Sequence, residues 1–409
     1  MTRPVSTPRH SLSSLLPLLL AASLGLLLSA CAAPAPPQAA AIIQELPFTE
    51  AVDQATDALI AQTRKGPDFL TAVESRLARR GLVLDPMLDA GSGQQTAATQ
   101  AFERRVAERI GTQYQQFELL AFKAANLGQA QYLLTGTMSR QAAGQKRSIF
   151  LLNLTLTELK TGLIVAQASA RARDDGIDST PLRYYLDSPI LVKDKVIEGY
   201  VRSTATPPGQ RADPTYLERI STATLINDAT EAYNAERYQD ALGQYRSALA
   251  TPAGEQLRVL NGIYLSSWKL GQAAEAEQAF GKVVSLGIAY NQLGVKFLFN
   301  PNSTEFWSDA RISGAYSMWL RQIAREAVTA KVCMDVVGHT SNSGSEELND
   351  ALSLRRAAHV RQLLTNEAPS LASRTNPVGR GFHENIVGTG TDNTADALDR
   401  RVEFKIRPC

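Results

Sequence analysis

Few residues in this chain could do covalent or metal chemistry. There are three cysteines, Cys31, Cys333 and Cys409, and four histidines. Cys31 closes the run Leu28-Ser29-Ala30-Cys31, directly after an apolar stretch from Leu15 to Leu28 that Pro17 interrupts and that Arg3, Arg9 and His10 precede. A positive start, a short apolar core and small residues before the break describe a secretory signal over residues 1–30. That stretch is about 14 residues, short of the roughly 20 a membrane span needs. Beyond it, His339, His359 and His383 lack the spacing of a metal-ligand set. No nucleophile stands beside a recognisable base, and no carboxylate pair is placed for acid–base work. Gly91-Ser92-Gly93-Gln94-Gln95-Thr96 lacks the spacing and the lysine of a phosphate loop, and reads as a loop whose threonine caps a helix. These residues point to a non-enzyme with no cofactor and no metal. Cys333 and Cys409 are left either as a disulfide, which an oxidising compartment permits, or as two free thiols. Cys333 opens one expected strand and Cys409 ends another, so antiparallel neighbours would bring the two together.

The Leu-Ser-Ala-Cys ending is similar to a bacterial lipobox, in which the thiol is alkylated by diacylglycerol and the cysteine becomes the first residue of the mature protein. The resemblance implies lipidation at Cys31. Several acyl chains on one residue exceed the two-signal threshold for stable anchoring, at about 0.8 kcal/mol per buried methylene. Ala32 follows, and the absence of Asp there resembles lipoproteins sent to the outer membrane, facing the periplasm.

The elements that must carry these residues divide the chain. At 409 residues it exceeds one ordinary core. With 42 basic and 40 acidic residues it makes no field able to collect nucleic acid. We read a multidomain α+β protein: signal 1–30, a lipidated Pro/Ala-rich linker 31–45, an α+β domain 46–205, a linker 206–220, a helical repeat region 221–289 and a C-terminal domain 290–409.

In the first domain, Thr49 is placed to cap a helix carrying Val52, Ala55, Leu59 and Ile60, and a second helix is expected from Pro67 to Arg80. A short strand over Leu82 to Leu84 precedes a helix of about 18 residues that ends near Gln113. Phe150, Leu152, Leu154 and Leu156 alternate with Leu151, Asn153, Thr155 and Thr157, and Lys160-Thr161-Gly162 turns the chain into Leu163 to Ala168. Tyr132 to Met138 should pair alongside, giving a sheet with one face under helices. Ala130 to Thr137 with Leu159 to Val165 resembles the periplasmic fold of curli-assembly-type lipoproteins and of lipoprotein activators of cell-wall synthases.

After Pro207-Pro208-Gly209, the residues Ala229, Tyr238, Ala241, Tyr245 and Ala248 resemble a tetratricopeptide repeat, and Gly271, Ala276, Phe280 and Val283 repeat the pattern. Such repeats use small residues to let paired helices approach. Two copies are fewer than the three or so that stand alone, so they should lean on a neighbour. A groove for a peptide or partner helix and a rigid spacer are both open.

The last third shows Phe297 to Asn300 as a strand, Phe306 to Thr329 as a long helix, Val332 to Val337 as a strand, Glu346 to Glu367 as a helix, Val378 to Phe382 as a strand and Arg401 to Ile406 as the last strand. Phe297 to Ser303, Gly338-His339-Thr340, Leu352-Ser353-Leu354-Arg355-Arg356-Ala357 and Arg400-Arg401-Val402-Glu403 together resemble the C-terminal domain of the OmpA family, a βαβαββ fold. That resemblance implies a groove for the diaminopimelate residue of the peptidoglycan stem peptide, a zwitterion that needs opposite charges at fixed separation. Arg356 falls where the family's arginine forks onto a carboxylate. Asn349, Asn300, Ser303 and Arg400 fall around it, with Arg355 as the exposed neighbour. The family usually has Gly-His-Thr-Asp where this chain has Gly338-His339-Thr340-Ser341. A charge-assisted contact of about 1.5–3 kcal/mol is thereby replaced by a neutral one nearer 1 kcal/mol. Asp399 would compensate in part if it reached the groove.

Two functions follow as expectations. One is a tether between outer membrane and cell wall, with lipid at Cys31 and peptidoglycan at Arg356. The other is an adaptor that recruits an envelope protein through residues 46–288 while binding the wall weakly, a reading Ser341 favours.

Overall fold

The computed structural model describes residues 44–63, 79–142, 148–300, 302–387, 390 and 395–409. The signal, Cys31, the Pro-rich linker and most of the helix expected from Pro67 lie outside these. Residues 43–409 form one compact unit.

The unit opens with β1 (Glu45–Leu46), α1 (Phe48–Gln62), β2 (Arg80–Leu84), β3 (Leu88–Asp89), α2 (Ala97–Gln113), β4 (Phe117–Leu120), α3 (Ala124–Leu127), β5 (Tyr132–Ala142), β6 (Ser148–Glu158) and β7 (Leu163–Arg173). They build a seven-stranded sheet in the order β1-β7-β6-β5-β2-β4, with β3 beside β5. β5, β6 and β7 are an antiparallel meander, and Gly162 takes φ +71° in the turn between the last two. α2 starts where the loop reading put it: the Thr96 side chain accepts from Thr99 N–H, and the Thr99 hydroxyl answers to Thr96 N–H, a reciprocal cap. α1 begins at Phe48 behind Pro47, with no side-chain cap, so Thr49 does not serve as one. Proline supplies a φ of −53° there.

α1 and α2 cover one sheet face with Leu59, Ile60, Phe102 and Val106 against Leu152, Leu154 and Leu156. Arg105 and Arg109 clamp them through forked contacts to Asp53 and Asp57. The opposite face is not left to water. After α4 (Arg183–Asp187), α5 (Lys195–Thr204) lies on it, and Thr155 donates to the Thr204 carbonyl at 3.0 Å. The segment expected as a linker contains α6 (Pro214–Leu217), and its Tyr216 is buried beside Tyr200. Thr155 thus finds its partner in a second layer, which alternation alone does not reveal.

Four helices follow, α7 (Ile220–Asn234), α8 (Tyr238–Leu249), α9 (Leu257–Lys269) and α10 (Ala273–Ala289), each packed on the next. Ala229, Ala241, Tyr245, Ala248, Ala276 and Phe280 are all buried. A Cβ at Gly262 would stand 2.4 Å from the Tyr245 ring, so glycine lets α9 close on α8. These helices have no core of their own. One apolar cluster runs from Tyr184 and Tyr233 through Tyr245, Tyr264 and Phe280 to Trp319, Phe297 and Phe404 of the last third.

That last third is β8 (Leu293–Val295), α11 (Ala310–Ser313), α12 (Tyr316–Thr329), β9 (Cys333–Gly338), α13 (Glu346–Glu367), β10 (Thr375–Gly379) and β11 (Val402–Arg407), with sheet order β10-β9-β11-β8. This is a βαβαββ order with three local corrections. The first strand is 293–295; Phe297 and Phe299, expected in it, are buried beyond its end, and Phe299 bridges only to Phe306. The long helix does not begin at Phe306, whose ring instead packs on Phe297, Phe299 and Tyr316 at 5.4, 5.2 and 5.0 Å, and Gly314 separates α11 from α12. β10 ends at Gly379, three residues before the expected end, and the chain turns at Gly381 with φ +47°. Cys333 and Cys409 form a disulfide with Cα atoms 5.1 Å apart, across the antiparallel pairing of β9 and β11. Among the described residues no helix is long and apolar enough to cross a membrane.

Candidate functional site

α13 carries the candidate arginine over the C-terminal sheet, and the strands beneath it end in glycines that let the helix approach. A Cβ at Gly338 would meet the Ser353 carbonyl at 2.2 Å, and one at Gly379 would meet Ser353 Oγ at 2.7 Å. The helix starts at Ser345, whose hydroxyl accepts from Leu348 N–H, and Glu346 and Glu347 sit in its first turn, where acids suit the helix dipole.

From this helix Arg356 reaches the segment after β8. It is 5% exposed; its Nε donates to the Ser303 carbonyl at 3.1 Å, a terminal nitrogen donates to the Asn300 carbonyl at 3.4 Å, and the guanidinium lies 4.7 Å over the Phe299 ring. A buried, always-charged fork is thus fixed in place by two carbonyls and an aromatic face. Asn300 and Ser303 thus meet Arg356, but through their backbones. The Ser303 hydroxyl accepts from Glu305 N–H.

Asn349 is buried, and its amide nitrogen donates to the Ser343 and Ser345 carbonyls at 2.7 and 2.9 Å. Both amide protons therefore fix the loop before α13. Ser341 lies in that same loop, buried, with its carbonyl accepting from Ser343 N–H. Asp399 is fully buried and its Oδ1 accepts from the Ile386 and Val387 N–H groups at 2.7 and 3.1 Å. That oxygen organises the loop at Ile386 and Val387. Arg400 lines a different cleft, whose walls include Lys296, Leu298 and Arg311 but not Arg356. Its neighbour Arg401 is the internal member of the pair, 3% exposed, with Nε 2.7 Å from Glu403 Oε1.

His339 is buried at the end of β9, its Nε2 3.6 Å from Glu403 Oε2, and burial holds its pKa below the ordinary histidine value. A buried imidazole at the turn after β9 fits a turn role. Among the described residues, two groups bring a histidine and two carboxylates within ligating range: His339, Glu384 and Glu403, and Glu346, Asp350 and His383. In the first, Arg401 and Lys405 already neutralise the acids. The second lies open to solvent.

Sequence reasoning missed a second cleft of about 400 Å³, between α4, α9 and the start of the C-terminal domain, lined by Tyr264, Trp268, Lys296 and Tyr316 among others. Exposed Trp268 and the lysine in an otherwise apolar Val-Lys-Phe run were its only local signals.

Residues 298–398 match the OmpA family. Outer membrane porin F of Pseudomonas aeruginosa is 33% identical over 115 residues, which are 28% of this chain and 31% of that protein. The chain thus spans about a third of the curated relative's length. The peptidoglycan-associated lipoprotein from Burkholderia pseudomallei is 22% identical, covers 27% of this chain and 88% of its own, and has a TM-score of 0.24. A putative MotB-like protein from Desulfovibrio vulgaris is 18% identical, with 34% and 94% coverage and a TM-score of 0.24. The C-terminal part of this chain, residues 298–398, is an OmpA-like domain.

Proposed function

We propose that the protein is an outer-membrane lipoprotein that binds peptidoglycan non-covalently and holds the outer membrane to the wall. The observation that carries this reading is Arg356, a buried guanidinium fixed by the Ser303 and Asn300 carbonyls inside the stretch that matches the OmpA family. A carboxylate of the stem peptide is its ligand, with Asn349 and Ser341 at the rim and Arg400 outside the first contact. Lipidated Cys31 and the 31–45 linker are the other end of the tether. The α+β domain at 46–205, with its likeness to curli-assembly and synthase-activator lipoproteins, and the tetratricopeptide-like helices at 221–289 are the spacer. The mature protein should co-sediment with purified sacculi and fractionate with the outer membrane. A Cys31→Ser form that stays in the outer membrane would remove the anchor from the proposal, and absence of co-sedimentation would remove the wall.

Ser341 favours a second reading. Without a carboxylate at that position the ligand's ammonium loses a charged partner, and weak wall binding suits an adaptor that positions an envelope protein bound through residues 46–288. Crosslinking in cells that recovers no partner through those residues would end it.

A further inference from the structure

The second cleft offers far more donors than acceptors. Lys269, Lys296, Arg311 and Arg400 line it with one carboxylate, Asp187; Lys269 engages Asp187 at 2.9 Å and Arg311 is held by Asp309 at 2.6 Å, so Lys296 is the charge a ligand would use. Lys296 is nine-tenths buried, and its ammonium donates to the Tyr185 and Leu186 carbonyls at 3.1 and 3.0 Å, two bonds for a group with three protons. Tyr264 and Tyr316 are buried, and each hydroxyl is used as an acceptor: Tyr264 accepts from Trp319 Nε1 at 2.8 Å, and Tyr316 from Leu298 N–H at 3.0 Å. Each phenol therefore retains its own O–H to give. A buried lysine with a third proton and two phenols that each keep an O–H to give line one cleft, and an acceptor-rich anion suits that set of donors. Burial draws the Lys296 pKa down to about 8, as expected of an ammonium short of counter-charge.

The rest of the lining is apolar. Leu186 and Trp268 flank the cleft, each 40% exposed, and Leu265, Leu298 and Trp319 add aliphatic and aromatic surface. About 400 Å³ is within the range of small-ligand sites, room for a chain end rather than a folded surface. A sugar would present hydroxyls that need acceptors as well as donors, and these walls supply few. A lipid chain would leave much of its length in water.

We propose that this cleft binds the C-terminal end of a partner polypeptide, with the terminal carboxylate at Lys296, Tyr264 and Tyr316 and a bulky apolar last side chain against Trp268 and Leu186. Two of the three tryptophans in the chain, Trp268 and Trp319, line the cleft, so their emission reports occupancy.

The mature full-length chain is titrated with acetyl-Gly-Gly-Phe as the free acid and as the C-terminal amide, following fluorescence and calorimetry. The acid should bind saturably and the amide at least about tenfold more weakly, the worth of one charge-assisted hydrogen bond. Trp268→Ala, on the exposed rim, should weaken the acid severalfold with the fold intact, whereas Lys296→Gln tests the charge in a buried place and is read only beside an unchanged circular dichroism spectrum. Arg356→Ala should leave this titration unchanged, which keeps the result separate from wall binding. Equal affinity for acid and amide, or no effect of Trp268→Ala, would overturn the proposal. So would a soluble disaccharide-peptide from peptidoglycan that displaces the acid, since the cleft would then belong to the wall.

Discussion

Arg356 on α13 donates through Nε to the carbonyl of Ser303 at 3.1 Å, so the candidate ligand-binding charge is also a strut between the helix and the segment after β8. Removing it does two things at once. Arg356→Ala removes the fork and its two charge-assisted contacts to half-buried carbonyls, which should lower stability by about 1–3 kcal/mol and cut peptidoglycan co-sedimentation at least about tenfold. Arg356→Lys keeps the charge but cannot span both carbonyls, and should bind poorly while melting closer to wild type. Sedimentation measured well below both melting transitions separates the effects. Undiminished binding by Arg356→Ala would sink the assigned site.

Ser341→Asp places a carboxylate directly after Gly338-His339-Thr340. If the ligand's ammonium sits there, exchanging a neutral contact for a charge-assisted one should tighten peptidoglycan binding by roughly threefold to thirtyfold, and the gain should shrink as salt rises. Because Ser341 is buried, the new carboxylate should also cost stability without ligand. Unchanged affinity would place the ammonium elsewhere and strengthen the adaptor reading.

The sequence made regular elements legible wherever local pattern and tertiary packing agree. The helix expected over Glu346 to Glu367 has those bounds, and the β6–β7 hairpin turns where Lys160-Thr161-Gly162 says it should. It misled where aromatic packing overrides propensity: Phe306 lies in a cluster with Phe297, Phe299 and Tyr316, so the chain is not helical there. At the site, residue types pointed to side chains at Asn300 and Ser303, whereas the contacts to Arg356 come from their carbonyls, which any residue has. Arg400 and Arg401 are adjacent in sequence yet one lines a cleft and the other is internal, because successive residues entering a strand face opposite ways. The second cleft joins Tyr264, Lys296, Tyr316 and Arg400 from separate elements, and no local spacing encodes that meeting.

Asp85 ends the β2 segment fully enclosed, its Oδ2 accepting from the Tyr216 hydroxyl at 2.5 Å, and burial pushes its pKa up to about 7 against the pull of that hydrogen bond and of Arg258. The folded carboxyl keeps its proton up to about pH 7, whereas the unfolded one releases it near 3.8. Between those values the folded state binds more protons, so stability falls as pH rises from about 4 to 7, by up to roughly 4 kcal/mol from this group. Burial raises Asp89 and Glu103 as well, adding slope of the same sign. Asp85→Asn keeps an acceptor for Tyr216 but has nothing to titrate. Its melting temperature should therefore vary less with pH over that window than that of wild type; identical slopes would show that Asp85 ionises normally.

The disulfide between Cys333 and Cys409 joins the first residue of β9 to the last residue of the chain, 76 positions on, and encloses α13, β10 and β11 in one covalent loop. A loop of that length removes denatured-state entropy worth about 4 kcal/mol in the chain-entropy model. The ladder of β9 with β11 reaches Arg407, paired with Cys333, and the Arg407 guanidinium donates to Asp335 at 3.0 Å, so the strand retains its own fastenings when the bond is cut. Reduction should therefore leave the native fold and Arg356 in place while lowering the urea midpoint, with a loss of unfolding free energy nearer about 2 than about 4 kcal/mol if the reduced denatured chain stays compact. Amide exchange at Ile406 and Arg407 should quicken first, because the end of β11 is then free to fray. Urea unfolding of the oxidised, reduced and Cys409→Ser proteins measures this directly. A midpoint that does not move on reduction, with two titratable thiols in the untreated protein, would mean the bond is not formed in solution.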